Sequence, residues 1–237
     1  LQTDNATQAV HVGGIEVIDP GTLTLSNTDL AALADGFTSI AIARGLGTAG
    51  LTIDPQGVAF ADPVTFRQHG KTGVITVLGP VTGTGDASLE FDAGATFLSA
   101  NLTTAGGAVS VDYARLNTNV IVTTAGGDVL FNGDVADQGT GGHSLTINAG
   151  AGDVTFMAKV GAKTPVLGDV VVNSSGVTKL NKGLQANSFT TDAGGTTEIG
   201  GGQIRTFTAA GVHFGDPVTV NSSMTINTRN GGSITFD

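Results

Sequence analysis

The feature that most limits what this chain can fold into is a short repeat. From Asn119 onward an alternating strand, a Gly-bearing turn, a second strand and a lone apolar residue recur in that order. NVIV (119–122) runs through TTAGG into DVLF (128–131) and then Val135. SLTI (144–147) runs through NAGAG into DVTF (153–156) and then Val160. DVVV (169–172) leads by NSSG to VTKL (177–180) and Leu184, and SFTT (188–191) leads by DAGG to TTEI (196–199) and Ile204. TFT (206–208), AAG, VHF (212–214) and Val218 follow, and MTI (224–226) with SITF (233–236) begins one more copy. A unit this short cannot bury its own apolar face and must stack on its neighbours. A solenoid is therefore expected.

First strands begin near 101, 119, 144, 169, 188, 206 and 224, in steps of 18, 25, 25, 19, 18 and 18. Corners that vary in length between strands that do not are how a parallel β-helix absorbs insertions. A series of antiparallel hairpins is the rival, because Gly-Gly and Asn-Gly are hairpin turn signals. Hairpins have no use for the third column (Val135, Val160, Leu184, Ile204, Val218), whereas a three-sided coil needs it. The fold class expected is all-β: a right-handed parallel β-helix of roughly ten coils, about 50 Å long at one inter-strand spacing per coil. Inward positions should include Val129, Phe131, Ile147, Val154, Phe156, Leu180, Ile199, Phe214 and Val218. Phe131, Phe156, Phe214 and Phe236 should stack as a core ladder.

One stretch departs from the strand pattern. SNTDLAALADGF (26–37) offers Ser, Asn and Thr as caps, apolar residues at helical spacing and Gly36 as a stop. It predicts one short helix, either a cap over the first coil's open end or a corner insertion packed on the side. The division expected is 1–56 for N-terminal coils with this element and 57–237 for the repetitive solenoid, within one continuous structural domain.

Composition narrows the function classes. Gly supplies 37 of 237 residues, about twice the ordinary share, as turns tolerant of positive φ require. The net charge of −10 carries no basic run, so there is no footprint for nucleic acid. The same charge repels anionic lipid surfaces, and no apolar run reaches the length of a membrane span. Without cysteine there are no disulfides and no thiol chemistry. LQTDNATQAV lacks a charged n-region and apolar core, so any secretion signal is removed or upstream. SITFD stops inside a strand of the repeat, which suggests a segment of a longer chain.

A β-helix can also carry lyase or hydrolase sites on its outer faces, so the outward residues of the second strands matter. With Val129/Phe131 and Val154/Phe156 inward, that column reads Ser110, Leu130, Thr155, Lys179, Glu198, His213 and Thr235. A glycosidase needs two carboxylates across a bond, and a lyase needs clustered acids with a base; this column has neither. Lys179 and Glu198, one coil apart, read as an exposed ion pair of little energy. No catalytic residue, cofactor or obligatory metal is assigned. Asp128 and Asp153 stand at equivalent places in consecutive coils, where stacked carboxylates could share calcium. Capping of backbone N–H groups after a Gly is the stronger reading, since Val177 occupies the next equivalent place. His11, His69, His143 and His213 sit in separate coils without ligand spacing and read as solvated. The Asn-x-Ser/Thr matches at Asn5, Asn101, Asn173 and Asn221 are those a corner-rich chain produces by chance. Thr pairs such as Thr123-Thr124 raise an ice-binding face, but the outward column is not a Thr ladder.

The run LTLSNTDLAALADGFTSIAIARGLGTAGLTI, then VAFADPVTF, TTAGGDVLFNGDV, SLTINAGAGDVTF and SFTTDAGGTTEIGGG resembles giant secreted bacterial surface proteins of the filamentous-haemagglutinin-like type. The resemblance spans nearly the whole chain and is to a repeat style. It implies a right-handed parallel β-helix, exported to the cell surface or medium, acting in adhesion, biofilm or surface-layer formation. It also implies extracellular or cell-surface localisation, with further coils of the same chain or other copies end to end as partners, and surface glycans or proteins as targets. A carbohydrate-acting enzyme and a self-polymerising filament subunit are the alternatives.

Overall fold

The computed structural model describes residues 1, 8–16, 19–43, 49–68, 72–139, 141–161 and 164–237. Their strands pair in parallel throughout. They form three sheets of 7, 11 and 9 strands: the first lies on face A, the last on face B, and the 11-stranded sheet covers face C and, through the continuous strand Leu184–Thr191, the last rungs of face A. Each turn visits faces A, C and B in that order. Ala95–Leu98 lies in face A, Leu102–Thr104 in face C and Val109–Val111 in face B, and Ala114–Leu116 returns to face A above Ala95–Leu98. The chain is a β-solenoid, and the hairpin alternative is excluded. The nine rungs of face B mark eight steps from first to last, a rod of roughly 40 Å at one inter-strand spacing per step. That is shorter than the ten coils expected.

The alternation of inward apolar residues with outward residues explains the strands. Val129, Phe131, Ile147, Val154, Phe156, Leu180, Ile199 and Phe214 all point inward, each at most 1% exposed. The third column is real: Val135 bridges Val160, Val160 bridges Leu184, and Leu184 pairs with Ile204. It continues to Ile226 in face A. Val218 does not belong to it, because it pairs with Thr197 in face B and is only half-buried. Aromatic rings stack in separate ladders on different faces. Phe131 lies on Phe156 at 5.3 Å in face B, and Phe214 on Phe236 at 5.1 Å in face C. A third group, unforeseen in the sequence, joins Phe60, Phe66 and Phe91 near the N-terminal end.

The corner between faces C and B shows why TTAGG recurs. Thr123 faces out while Thr124 turns inward, and its buried hydroxyl donates to the Gly127 and Ala149 carbonyls. Gly126 adopts φ 120°, which a side chain would oppose. Gly127 is needed for space instead: a methyl group there would run into the carbonyl of Gly107 one rung below. The two glycines of the motif thus do different jobs.

The helix spans Asn27–Ala31. Ser26 accepts the Asp29 amide at 3.2 Å, and the Asp29 carboxylate accepts the Ser26 amide at 2.9 Å, a reciprocal capping box. The chain enters it from the face A strand Thr22–Leu25 and leaves toward the face B strand Ile40–Ala43. The helix therefore stands where the first turn would have its face C strand. It packs beside Val58–Phe60 with Leu30 buried in the core.

Candidate functional site

The outward residues of the three faces are the surface on which any function must be built. On face B the register runs Thr65, Glu90, Ser110, Leu130, Thr155, Lys179, Glu198 and Thr219. The expected column is right from Ser110 to Glu198. His213 and Thr235 belong to face C instead, beside Thr190. The cause is that TFT-AAG-VHF crosses from face A to face C, whereas the similar TTAGG segments cross from face C to face B. Lys179 and Glu198 are register neighbours, yet they form no ion pair within 4.0 Å. Face C carries Thr82, Thr103 and Thr123 in succession, then Asn148 and Asn173. Three threonines give way to amides, so no long Thr array forms.

Face B holds a carboxylate group that the sequence reading did not reach. Glu90 lies beside Thr65, whose hydroxyl donates to it at 2.7 Å, and Asp92 takes the Arg67 Nε at 2.7 Å. Asp112 sits one rung above Asp92, since its amide donates to the Phe91 carbonyl. Burial pushes the Asp112 carboxyl above its ordinary value; a hydrogen bond from Asn132 opposes this, and the nearby charges of Asp92 and Glu90 add to the rise. The repeat is legible only from about residue 101, so the column read from the sequence began at Ser110 and stopped one rung short of Glu90. These carboxylates project from one face of a sheet. Among the described residues no group of three or more His, Cys, Asp or Glu side chains is arranged to hold a metal ion.

The other singled-out residues hold the rod together. Asp128 Oδ1 accepts the amide of Asp153 at 2.9 Å, and Asp153 Oδ1 accepts that of Val177 at 2.8 Å. Each carboxylate caps the backbone of the rung above. Asn101 Oδ1 accepts the Ile121 amide, and Asn173 donates to Asn148 at 2.8 Å. The histidines are less free than expected. His11 meets Asp54 at 3.1 Å, His143 meets the buried Asp137 at 3.1 Å, and His213 meets Asp237 at 3.2 Å. His69 and Asn5 lie outside the described residues.

The two ends differ. The N-terminal strand Ala9–Val12 is inserted between Thr22–Leu25 and Leu51–Ile53, so face A begins with two strands placed out of chain order. Beside it, the helix and the edge strand Val58–Phe60 enclose an open cleft of about 560 Å³ lined by Leu30, Leu33 and Pro80. Asp62, the one ionisable residue lining it, is buried and accepts the Gly36 amide at 2.9 Å. At the other end the strands Val218–Val220, Met224–Thr228 and Ile234–Phe236 are outermost. Val220, Ile234 and Phe236 are 52%, 42% and 60% exposed there.

No family model matches the chain, and neither a curated protein nor a solved structure is detectably similar to it.

Proposed function

We propose that the chain is a structural, adhesive rod segment of a bacterial cell-surface or extracellular-matrix protein, acting in adhesion, biofilm or surface-layer formation and not in catalysis. The observation that carries this reading is the continuity of the three faces. They run along the rod without a break between rungs, and on face B the outward residues change in character from rung to rung. Such a surface binds by extent, not through one convergent pocket. The resemblance of its repeats to secreted surface proteins adds the location.

The exposed last rung suits a further parallel rung, since unpaired strand edges with apolar side chains recruit more strands. The opposite end of another copy is a poor match. It offers two extra face A strands and a helix over face C in place of a bare rung.

The carbohydrate-acting alternative has one observation in its favour, the stacked Asp92 and Asp112. They are neighbours one rung apart on the same face, and a retaining glycosidase uses two carboxyl groups close together. Labelling of intact cells and attachment assays with and without the segment test the rod reading. Surface labelling with loss of attachment on deletion is expected. Turnover of a defined polysaccharide that disappears in Asp112→Asn would contradict it.

A further inference from the structure

Charge is unevenly divided along the rod. Residues 1–157 hold 15 of the 20 acidic residues and 4 of the 10 basic ones; residues 158–237 hold 5 and 6. Two of those six basic residues, Arg205 and Arg229, come together on one surface. Over its last three rungs face A presents Gln185, Arg205 and Asn227 in one outward column, in register. Beyond it, Phe207 carries two guanidinium groups, Arg205 at 5.7 Å and Arg229 at 5.6 Å from its ring. Stretches 182–188, 201–208 and 224–230, which build these rungs, contain no Asp or Glu.

Neither arginine has an acidic partner among the described residues. The Arg205 Nε is buried without any hydrogen-bond partner. Two guanidinium groups on one aromatic ring with no acid paired to them form a cationic surface that suits carboxylates from outside. The opposite imbalance lies on face B, where among the described residues Arg67 is the one cation paired with the Glu90, Asp92 and Asp112 group. Their mutual repulsion is relieved by an incoming cation.

We propose that two copies of this chain meet flank to flank, the Arg205–Phe207–Arg229 surface of one seating the Glu90–Asp92–Asp112 column of the next. This rests on the rod reading and deepens it. The two patches are on different faces, so the contact is heterologous and propagates into open assemblies instead of closing as a dimer. Side-by-side contact also avoids the mismatch between the two ends. Exposed charges dominate it, so added salt weakens it.

Sedimentation velocity of the full chain at low and high ionic strength tests the proposal. The wild type is expected to form concentration-dependent oligomers at low salt that dissociate at high salt. Arg229→Glu, at an exposed position, should weaken association about tenfold or more, as should Glu90→Lys. Mixing these two variants should restore at least a one-to-one pair, because each supplies the patch the other lacks. Arg205→Gln with Arg229→Gln serves as a milder second variant, and circular dichroism confirms that each folds. A wild type that stays monomeric at low salt, association that ignores both reversals, or a mixture that does not recover would each overturn the proposal. So would a monomer whose Arg229 instead governs retention on an anionic polysaccharide. In all of these a monomer that sediments as a rod and still supports attachment leaves the rod reading intact.

Discussion

The two ends of the rod are built from the same repeat and finished differently. At the N-terminal end the chain doubles back to place Ala9–Val12 inside face A and lays a capped helix where face C would begin. Leu30 is 7% exposed there. At the C-terminal end three strands stop in regular register, with Phe236 stacked on Phe214 but 60% exposed. A solenoid buries each rung between two neighbours, so a last rung has half the burial of an interior one. The first end compensates with irregular elements, and the second leaves the half-buried rung bare. One end carries an inserted strand and a helix, and the other is a regular rung.

The sharpest test of this contrast compares two phenylalanines. Phe66 is fully buried between Phe60 and Phe91, with ring centroids at 5.7 and 5.1 Å. Phe66→Ala should cost about 3–5 kcal/mol, and Phe236→Ala less than about 1 kcal/mol, since most of its surface is already wet. Denaturant titration of both variants measures the difference. Equal costs would break the contrast.

A second comparison uses two Asp–His pairs. The Asp137 side chain is fully buried and that of Asp237 is 62% exposed. Burial opposes ionisation of Asp137, but the His143 and Gly139 amides and the His143 ring outweigh it and hold the carboxyl below its ordinary value. A depressed folded value means its stabilisation is present above the unfolded carboxylate pKa and is lost as pH falls through the folded one. Asp137→Asn should cost about 1–3 kcal/mol at neutral pH and flatten the acid limb of the stability curve. Asp237→Asn should change stability by less than about 1 kcal/mol. Thermal melts between neutral and strongly acid pH check both.

A smaller effect is expected at the helix. Ser26→Ala removes the hydroxyl that accepts the Asp29 amide and should cost about 1 kcal/mol. Ser26→Asp, which keeps an acceptor there, should recover most of it. Chemical denaturation of the three proteins decides whether the capping box contributes to stabilising this end.

Much of the rod was legible in the sequence, and the exceptions have physical causes. Strand alternation placed Val129, Phe131, Val154 and Phe156 inward, and the third column placed Val160 and Leu184 on face A. A Gly turn marks a corner without saying which corner. Face A and face C run together in the strand Leu184–Thr191, whose first half pairs with Gly202–Thr206 and whose second half pairs with Val212–Phe214. From there the repeat slips by one face, which is why Val218 and His213 were assigned to the wrong columns. The inserted strand Ala9–Val12 has no sequence signal, because its AVHV pattern is that of any half-buried strand. Glu90 and Asp112 were missed as a group because contact across 22 residues depends on the register of turns too irregular to align by eye. The Arg205–Phe207–Arg229 group was hidden for a similar reason: the last residue reaches Phe207 only through the register between Gly202–Thr206 and Met224–Thr228.

Amide hydrogen exchange resolved along the chain tests this contrast between the two ends most directly. Strands with neighbours on both sides should exchange slowly, and the Thr22–Leu25 and Asn27–Ala31 elements should share part of that protection through the inserted strand and the capped helix. The strands Val218–Val220, Met224–Thr228 and Ile234–Phe236 should exchange fastest, with protection rising rung by rung toward the interior. Equal protection at the two ends, or faster exchange at Thr22–Leu25 than at Ile234–Phe236, would contradict it.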